Sequence, residues 1–182
     1  MIVEPGQLDG LRLIRLRRFG DARGWFLESW QEARYRDAGL PERFVQDNFS
    51  YSARGVLRGL HFQNPNAQGK LVMVLLGEVW DVAVDLRRSS PTFGRWQGVR
   101  LSGNEPLQFY VPPGFAHGFV VLSDTALFHY KCTAPYSPAD EHSVRWDDPD
   151  LAIAWPVRDP VLSARDAAAP RLRDLPPESL FP

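Results

Sequence analysis

Through the middle of the chain, polar and apolar residues alternate with a period of two. Glu78 to Asp85 shows it most cleanly, with Trp80, Val82 and Val84 on one face and Asp81, Ala83 and Asp85 on the other. The same reading from Phe44 onward predicts strands near 44–51, 58–63, 70–76, 78–85, 95–101, 107–111, 117–122, 125–131 and 141–146. Residues 11–17 form an earlier strand, Gly20 to Gly24 a turn, and Trp25 to Trp30 a second early strand. Gln31 to Ala38 carries strong helix formers, with Gly39 as a stop and Pro41 beyond. No helical pattern alternates with the strands, which argues against a parallel α/β sheet. Strands at this spacing indicate a sandwich or barrel. The Pro-, Asp- and Ala-rich C-terminal segment is expected to wrap it as turns and short helical pieces.

Composition changes this picture little. A length of 182 residues suits one domain over 1–182, with 167–182 its least patterned part. A net charge of −1 argues against a nucleic-acid or polybasic membrane surface, so an anionic ligand must be met by local cations. One cysteine, Cys132, excludes an internal disulfide framework and fits a reducing compartment. The N-terminus shows no basic segment leading into an apolar core, and the apolar run at 71–76 is too short to span a bilayer. A cytoplasmic protein is expected.

The chemistry gathers in Gly55-Val56-Leu57-Arg58-Gly59-Leu60-His61-Phe62-Gln63, where a cation, an imidazole and an amide interrupt an apolar run. Such groups are costly to bury unless paired or used, and Lys70 opens the next apolar run shortly afterwards. Taken singly, His61, Lys70, Tyr130 and Asp166 all have ordinary structural explanations. His129, His142 and Cys132 stand in no motif and are expected to be structural. Strict alternation would put Arg58 and His61 on opposite faces. Both reach one ligand only through a bulge or if Arg58 lies on the preceding turn; with Gly55 and Gly59 nearby, the turn is expected.

Gly55 through His61, and Pro112-Pro113-Gly114-Phe115-Ala116-His117, resemble the paired motifs of the cupin superfamily, a double-stranded β-helix jelly-roll. A metal-binding cupin would place His at position 63 and Glu at position 70, where this chain has Gln63 and Lys70. Two histidines without a nearby acid and with an added cation do not make a divalent metal site, so no metal is expected.

More widely, the chain resembles the dTDP-4-dehydrorhamnose 3,5-epimerase family. The matching pieces include Phe19-Gly20-Asp21-Ala22-Arg23-Gly24, Glu28, Gln46-Asp47-Asn48, Arg58 to Gln63, Gln68-Gly69-Lys70-Leu71, Asp85-Leu86-Arg87 and Ser90 to Gly94. They continue with Pro113 to Phe119, Tyr130-Lys131, Trp155-Pro156 and Ser163-x-x-Asp166. The resemblance implies an all-β cupin jelly-roll with a few short peripheral helices. It implies a cofactor-free isomerase that inverts C3 and C5 of dTDP-4-dehydro-6-deoxy-D-glucose through proton removal beside the C4 ketone. On that resemblance His61 is the base, Asp166 its partner, Lys70 the holder of enolate charge and Tyr130 the acid on the opposite face. Arg58 would meet the diphosphate and His117 the sugar or phosphate. Arg23, Glu28, Gln46 and Asn48 would line the nucleotide pocket, with Glu141 and Arg165 nearby. Arg165 stands where the family more often has Lys, which keeps the charge but changes its shape. The family also implies a homodimer in which residues 19–28 reach the partner's pocket. Three other readings stay open: an epimerase acting at C3 alone, a metal-dependent cupin, and a non-catalytic sugar-nucleotide-binding jelly-roll.

Overall fold

Thirteen strands and two short helices account for most of the regular structure in the computed structural model, which describes residues 1–40 and 43–182. Pro41, expected beyond the helix stop, lies outside the described residues. The strands are β1 (Ile2–Pro5), β2 (Arg12–Arg15), β3 (Arg18–Asp21), β4 (Gly24–Leu27), β5 (Gln46–Ala53), β6 (Leu57–Gln63) and β7 (Lys70–Leu76). They continue as β8 (Glu78–Asp85), β9 (Trp96–Ser102), β10 (Leu107–Val111), β11 (Phe115–Val121), β12 (Thr125–Cys132) and β13 (Glu141–Ser143). The helices are α1 (Glu32–Asp37) and α2 (Ala164–Ala167).

Two antiparallel sheets face each other, in the orders β1-β2-β10-β7-β12-β5 and β13-β6-β11-β8-β9, while β3 and β4 form a separate hairpin. This is the expected all-β jelly-roll. Differences from the expected strands are local. The second early strand ends at Leu27, which pairs with Arg18 at the end of the hairpin ladder, instead of reaching Trp30. The segment expected as one strand over 11–17 pairs only over 12–15. β1 was not expected, because four residues are too few to display a period.

Alternation sorts each strand's residues between layers. Inward side chains such as Val72 and Val74 (β7), Ala83 (β8), Phe109 (β10), Phe119 (β11) and Phe128 (β12) pack one end of the space between the sheets. Outward Leu71, Met73 and Tyr110 are covered by Tyr35 of α1 and by Leu40. On the other sheet, outward Leu60, Val82, Val84 and Ala116 are covered by Leu151, Leu172, Leu180 and Phe181 from the C-terminal segment. Both sheets are therefore buried on two faces, and the polar residues pointing inward stand out as the exceptions.

Candidate active site

Those exceptions cluster beyond the packed end. On β7, Lys70 shares the inward face with Val72 and Val74; on β12, Tyr130 shares it with Phe128. The opposite sheet contributes His61 from β6, directly across the ladder from His117 on β11. A cavity of about 410 Å³ brings together Arg58, His61, Lys70, His117, Tyr130, Arg165 and Asp166, with Phe119 and Phe128 in its lining. Those two rings stack at 4.1 Å between centroids, closing the cavity toward the core. An adjoining cavity of about 310 Å³ is lined by Gln46, Asn48, Gln68, Cys132, Tyr136 and Glu141 and shares His61, Lys70 and Tyr130 with the first.

Arg58 reaches the cavity by a different route from the expected turn. It lies within β6, and the ladder to β11 pairs His117 with His61 but Phe119 with Arg58. Three steps on β6 thus oppose two on β11, a bulge that resets the alternation and turns Arg58 and His61 to one side. Gly59 makes this possible. Its φ is +133°, and an added Cβ would lie 2.6 Å from the Gly118 Cα. Arg58 Nε then donates to Ser52 Oγ at 3.1 Å.

His61 Nε2 lies 2.6 Å from Asp166 Oδ1. Asp166 sits in α2, whose N-cap, Ser163, accepts from the Asp166 backbone N–H at 3.1 Å. Burial pushes the Asp166 carboxyl up, but the hydrogen bond and charge of His61, with help from Ser163 and the Gly59 backbone, outweigh it and hold it below the usual range. An ionised carboxylate at Nε2 fixes the proton there and leaves Nδ1 as the ring's free base. His117 Nε2 is held likewise, 2.9 Å from both oxygens of Asp81, which is fully buried. Both histidines therefore have a carboxylate beside them: Asp166 is the partner expected for His61, whereas Asp81 beside His117 was not expected. Asp81 was visible in the sequence only as sharing a strand face with Ala83 and Asp85.

The Lys70 side chain makes no hydrogen bond or ion pair among the described residues, although its backbone pairs in the ladders of β10 and β12. Burial lowers the pKa of its amine, opposed by the negative charge around it, including Glu141 and Asp81. Burial likewise pushes the Tyr130 phenol up, so it is protonated at neutral pH. At the outer rim Glu141 accepts from both Arg165 and Tyr136. Burial pushes the Glu141 carboxyl up, but these hydrogen bonds hold it low. Tyr136 had no signal in the sequence, since it lies in the loop after β12 where no period applies. Gln46 Nε2 donates to Asn48 Oδ1 at 3.0 Å, placing both residues together on β5. Cys132, expected to be inert, lines the second cavity, with Asn48 Nδ2 at 3.7 Å from its sulfur. Arg23 and Glu28 stay outside both cavities of their own chain: Arg23 pairs with Asp21 across the hairpin turn and Glu28 with Arg34.

These residues do not suit a divalent metal of the cupin type. Each histidine has one nitrogen committed to a carboxylate, and the ammonium of Lys70 lines the same cavity. Among the described residues, no group of three or more His, Cys, Asp or Glu is placed to hold one.

A model of the dTDP-4-dehydrorhamnose 3,5-epimerase family matches residues 5–174. The chain belongs to this family. The dTDP-4-dehydrorhamnose 3,5-epimerase of Pseudomonas aeruginosa is 57% identical over 156 residues, covering 85% of this chain and 86% of its own. That of Methanothermobacter thermautotrophicus is 51% identical over 172 residues, 93% of each chain. The crystal structure of dTDP-6-deoxy-D-glucose-3,5-epimerase from Legionella pneumophila Philadelphia 1 in complex with dTDP-4-keto-L-rhamnose superposes with a TM-score of 0.96. It is 54% identical, and the match covers 99% of this chain and 97% of that one. Within the family frame, the Arg58–Gln63 stretch and Asp166 are 105 positions apart at the His61–Asp166 contact and yet form one site.

Proposed function

We propose that this epimerase-family chain inverts C3 and C5 of dTDP-4-dehydro-6-deoxy-D-glucose, giving dTDP-4-dehydro-L-rhamnose. The observation that carries the reading is the placement of His61 and Tyr130 on opposing sheets around one cavity that also holds the unpaired Lys70. A ketone at C4 acidifies the protons on C3 and C5. His61 Nδ1 takes one of them; Asp166 stabilises the imidazolium that results. The electron pair moves onto the C4 oxygen, where a fixed ammonium in a site poor in water counters its charge, and Lys70 suits that role. Tyr130 returns a proton to the carbon from the other side and regains its own from solvent, while His61 releases its proton. The same cycle at the second carbon completes the double inversion. No oxidant, reductant or cofactor enters this balance.

Arg58, His117, Gln46, Asn48, Glu141 and Arg165 act in this reading as holders of the sugar nucleotide. Arg23 and Glu28 act on the partner's substrate in a homodimer, which agrees with their distance from the cavities of their own chain. The reading further takes 1–182 as one epimerase domain working in the cytoplasm, in keeping with its single free thiol.

The test is product analysis by proton NMR after incubation with the 4-keto sugar nucleotide in deuterated water. Deuterium at both C3 and C5 of an L-lyxo product is expected. Deuterium confined to C3 would assign the activity to that carbon alone, and none at either carbon would leave a binding protein.

A further inference from the structure

We infer that Ser50 is a further substrate-binding residue, its hydroxyl donating to a phosphate oxygen beside Arg58. This rests on the cavity being a sugar-nucleotide site. β5 turns four polar side chains inward, Gln46, Asn48, Ser50 and Ser52, and three of them are engaged. Gln46 donates to Asn48, while its carbonyl oxygen accepts from the Tyr136 backbone at 2.8 Å. Asn48 faces the Cys132 sulfur, and Ser52 Oγ accepts from Arg58 Nε. Ser50 Oγ alone in this row is shielded from water without a hydrogen-bond partner. The residue nevertheless lines the larger cavity together with Arg58 and Tyr130.

A buried hydroxyl without a partner is unfavourable, and one in a cavity wall calls for an explanation. Space-filling does not supply it. Ser50 stands directly opposite Phe128 on β12, where a small apolar side chain would fill the same place without the cost of an unmet hydroxyl. The neighbouring cation supplies a better one. Ser52 holds Arg58 by its Nε, which leaves the two terminal nitrogens of the fork for an anion. A diphosphate offers more acceptor oxygens than one fork can satisfy. Ser50 lies two residues from Ser52 on the same face and lines the same cavity as that guanidinium. Rotation about Cα–Cβ between staggered wells carries Oγ from the wall toward the ligand.

The test compares dTDP with thymidine, which shares the base and sugar but lacks phosphate. Ser50→Ala should weaken dTDP binding roughly tenfold by calorimetry and leave thymidine binding, followed by NMR titration, unchanged. In turnover it should raise KM by a similar factor with kcat retained. Ser50→Cys, which keeps the size but donates poorly, should behave like the alanine variant and covers the case in which alanine fails to fold. Unaltered dTDP affinity, or an equal loss for thymidine, would overturn the assignment. Failure of the native protein to bind dTDP at all would instead overturn the functional reading beneath it.

Discussion

The 2.6 Å contact between His61 Nε2 and Asp166 decides which nitrogen of the ring can do chemistry. Replacing the carboxylate by an amide keeps an acceptor there but removes the charge that stabilises imidazolium. Asp166→Asn should therefore lower kcat on the order of 10²–10⁴-fold while KM moves little. Stopped assays over a substrate range would show the split, and an unchanged kcat would remove Asp166 from the mechanism. Tyr130→Phe should spare proton removal more than net inversion, read as deuterium entering recovered substrate faster than product forms. Unchanged turnover would assign the acid to another group. At this scale the sequence was legible through juxtaposition alone. Lys70 in place of a metal-binding glutamate pointed to anion chemistry, and its inward position follows from the period that sets Val72 and Val74 beside it. Tyr136 and Asp81 were not legible, because one lies in a loop and the other acquires meaning only from the ring of His117 across the ladder.

At the scale of elements, the bulge in β6 is what makes a site of two residues that simple alternation would separate. Gly59→Ala meets both the positive φ and the Gly118 backbone, so a loss of at least ~2 kcal/mol is expected. Arg58 would turn away from the cavity. Urea unfolding and dTDP titration of this variant should fail together; native-like values for both would show the bulge to be dispensable. A single extra residue leaves no mark on composition or period, which is why Arg58 was expected on a turn. The end of β8 offers a separate test. The Asp85 carboxyl is pushed up by burial but held at about 2 by hydrogen bonds from Arg87, Ser90 and Thr92. A folded pKa below the unfolded one adds stability that is present above about pH 4 and is lost as pH falls through about 2. Asp85→Asn should thus cost on the order of 2 kcal/mol at pH 7, and its gap to the native protein should narrow below pH 4. A gap that stayed constant from pH 7 to pH 3 would contradict this origin.

At the scale of the whole molecule, both sheets are largely covered, yet two segments leave large apolar side chains exposed. Trp25 and Phe26 on the β3–β4 hairpin are 58% and 66% exposed, and Phe49 and Tyr51 on the edge strand β5 are 65% and 63% exposed. Exposed aromatic side chains of this kind suit an interaction surface. It accords with the homodimer in the proposed function, where the hairpin carries Arg23 to its partner. Trp25→Glu combined with Phe26→Glu should yield a monomer by light scattering and weaken dTDP binding at least tenfold. A dimer with intact affinity would detach the hairpin from the site. The jelly-roll itself was legible from strand spacing and paired motifs, since a period of two states which side chains share a face. How the two sheets close on one another, and which loop lends a side chain to the cavity, depends on contacts between residues far apart in sequence.

In the proposed reaction His61 removes a carbon-bound proton, and the neighbouring Lys70 ammonium counters the negative charge left on the enolate oxygen. The most direct test of that step is solvent exchange by His61→Ala, with the 4-keto sugar nucleotide in deuterated water and proton NMR at C3 and C5. Loss of exchange at both carbons, with dTDP affinity and fold preserved, is the expected result. Exchange at a rate near that of the native protein would contradict it.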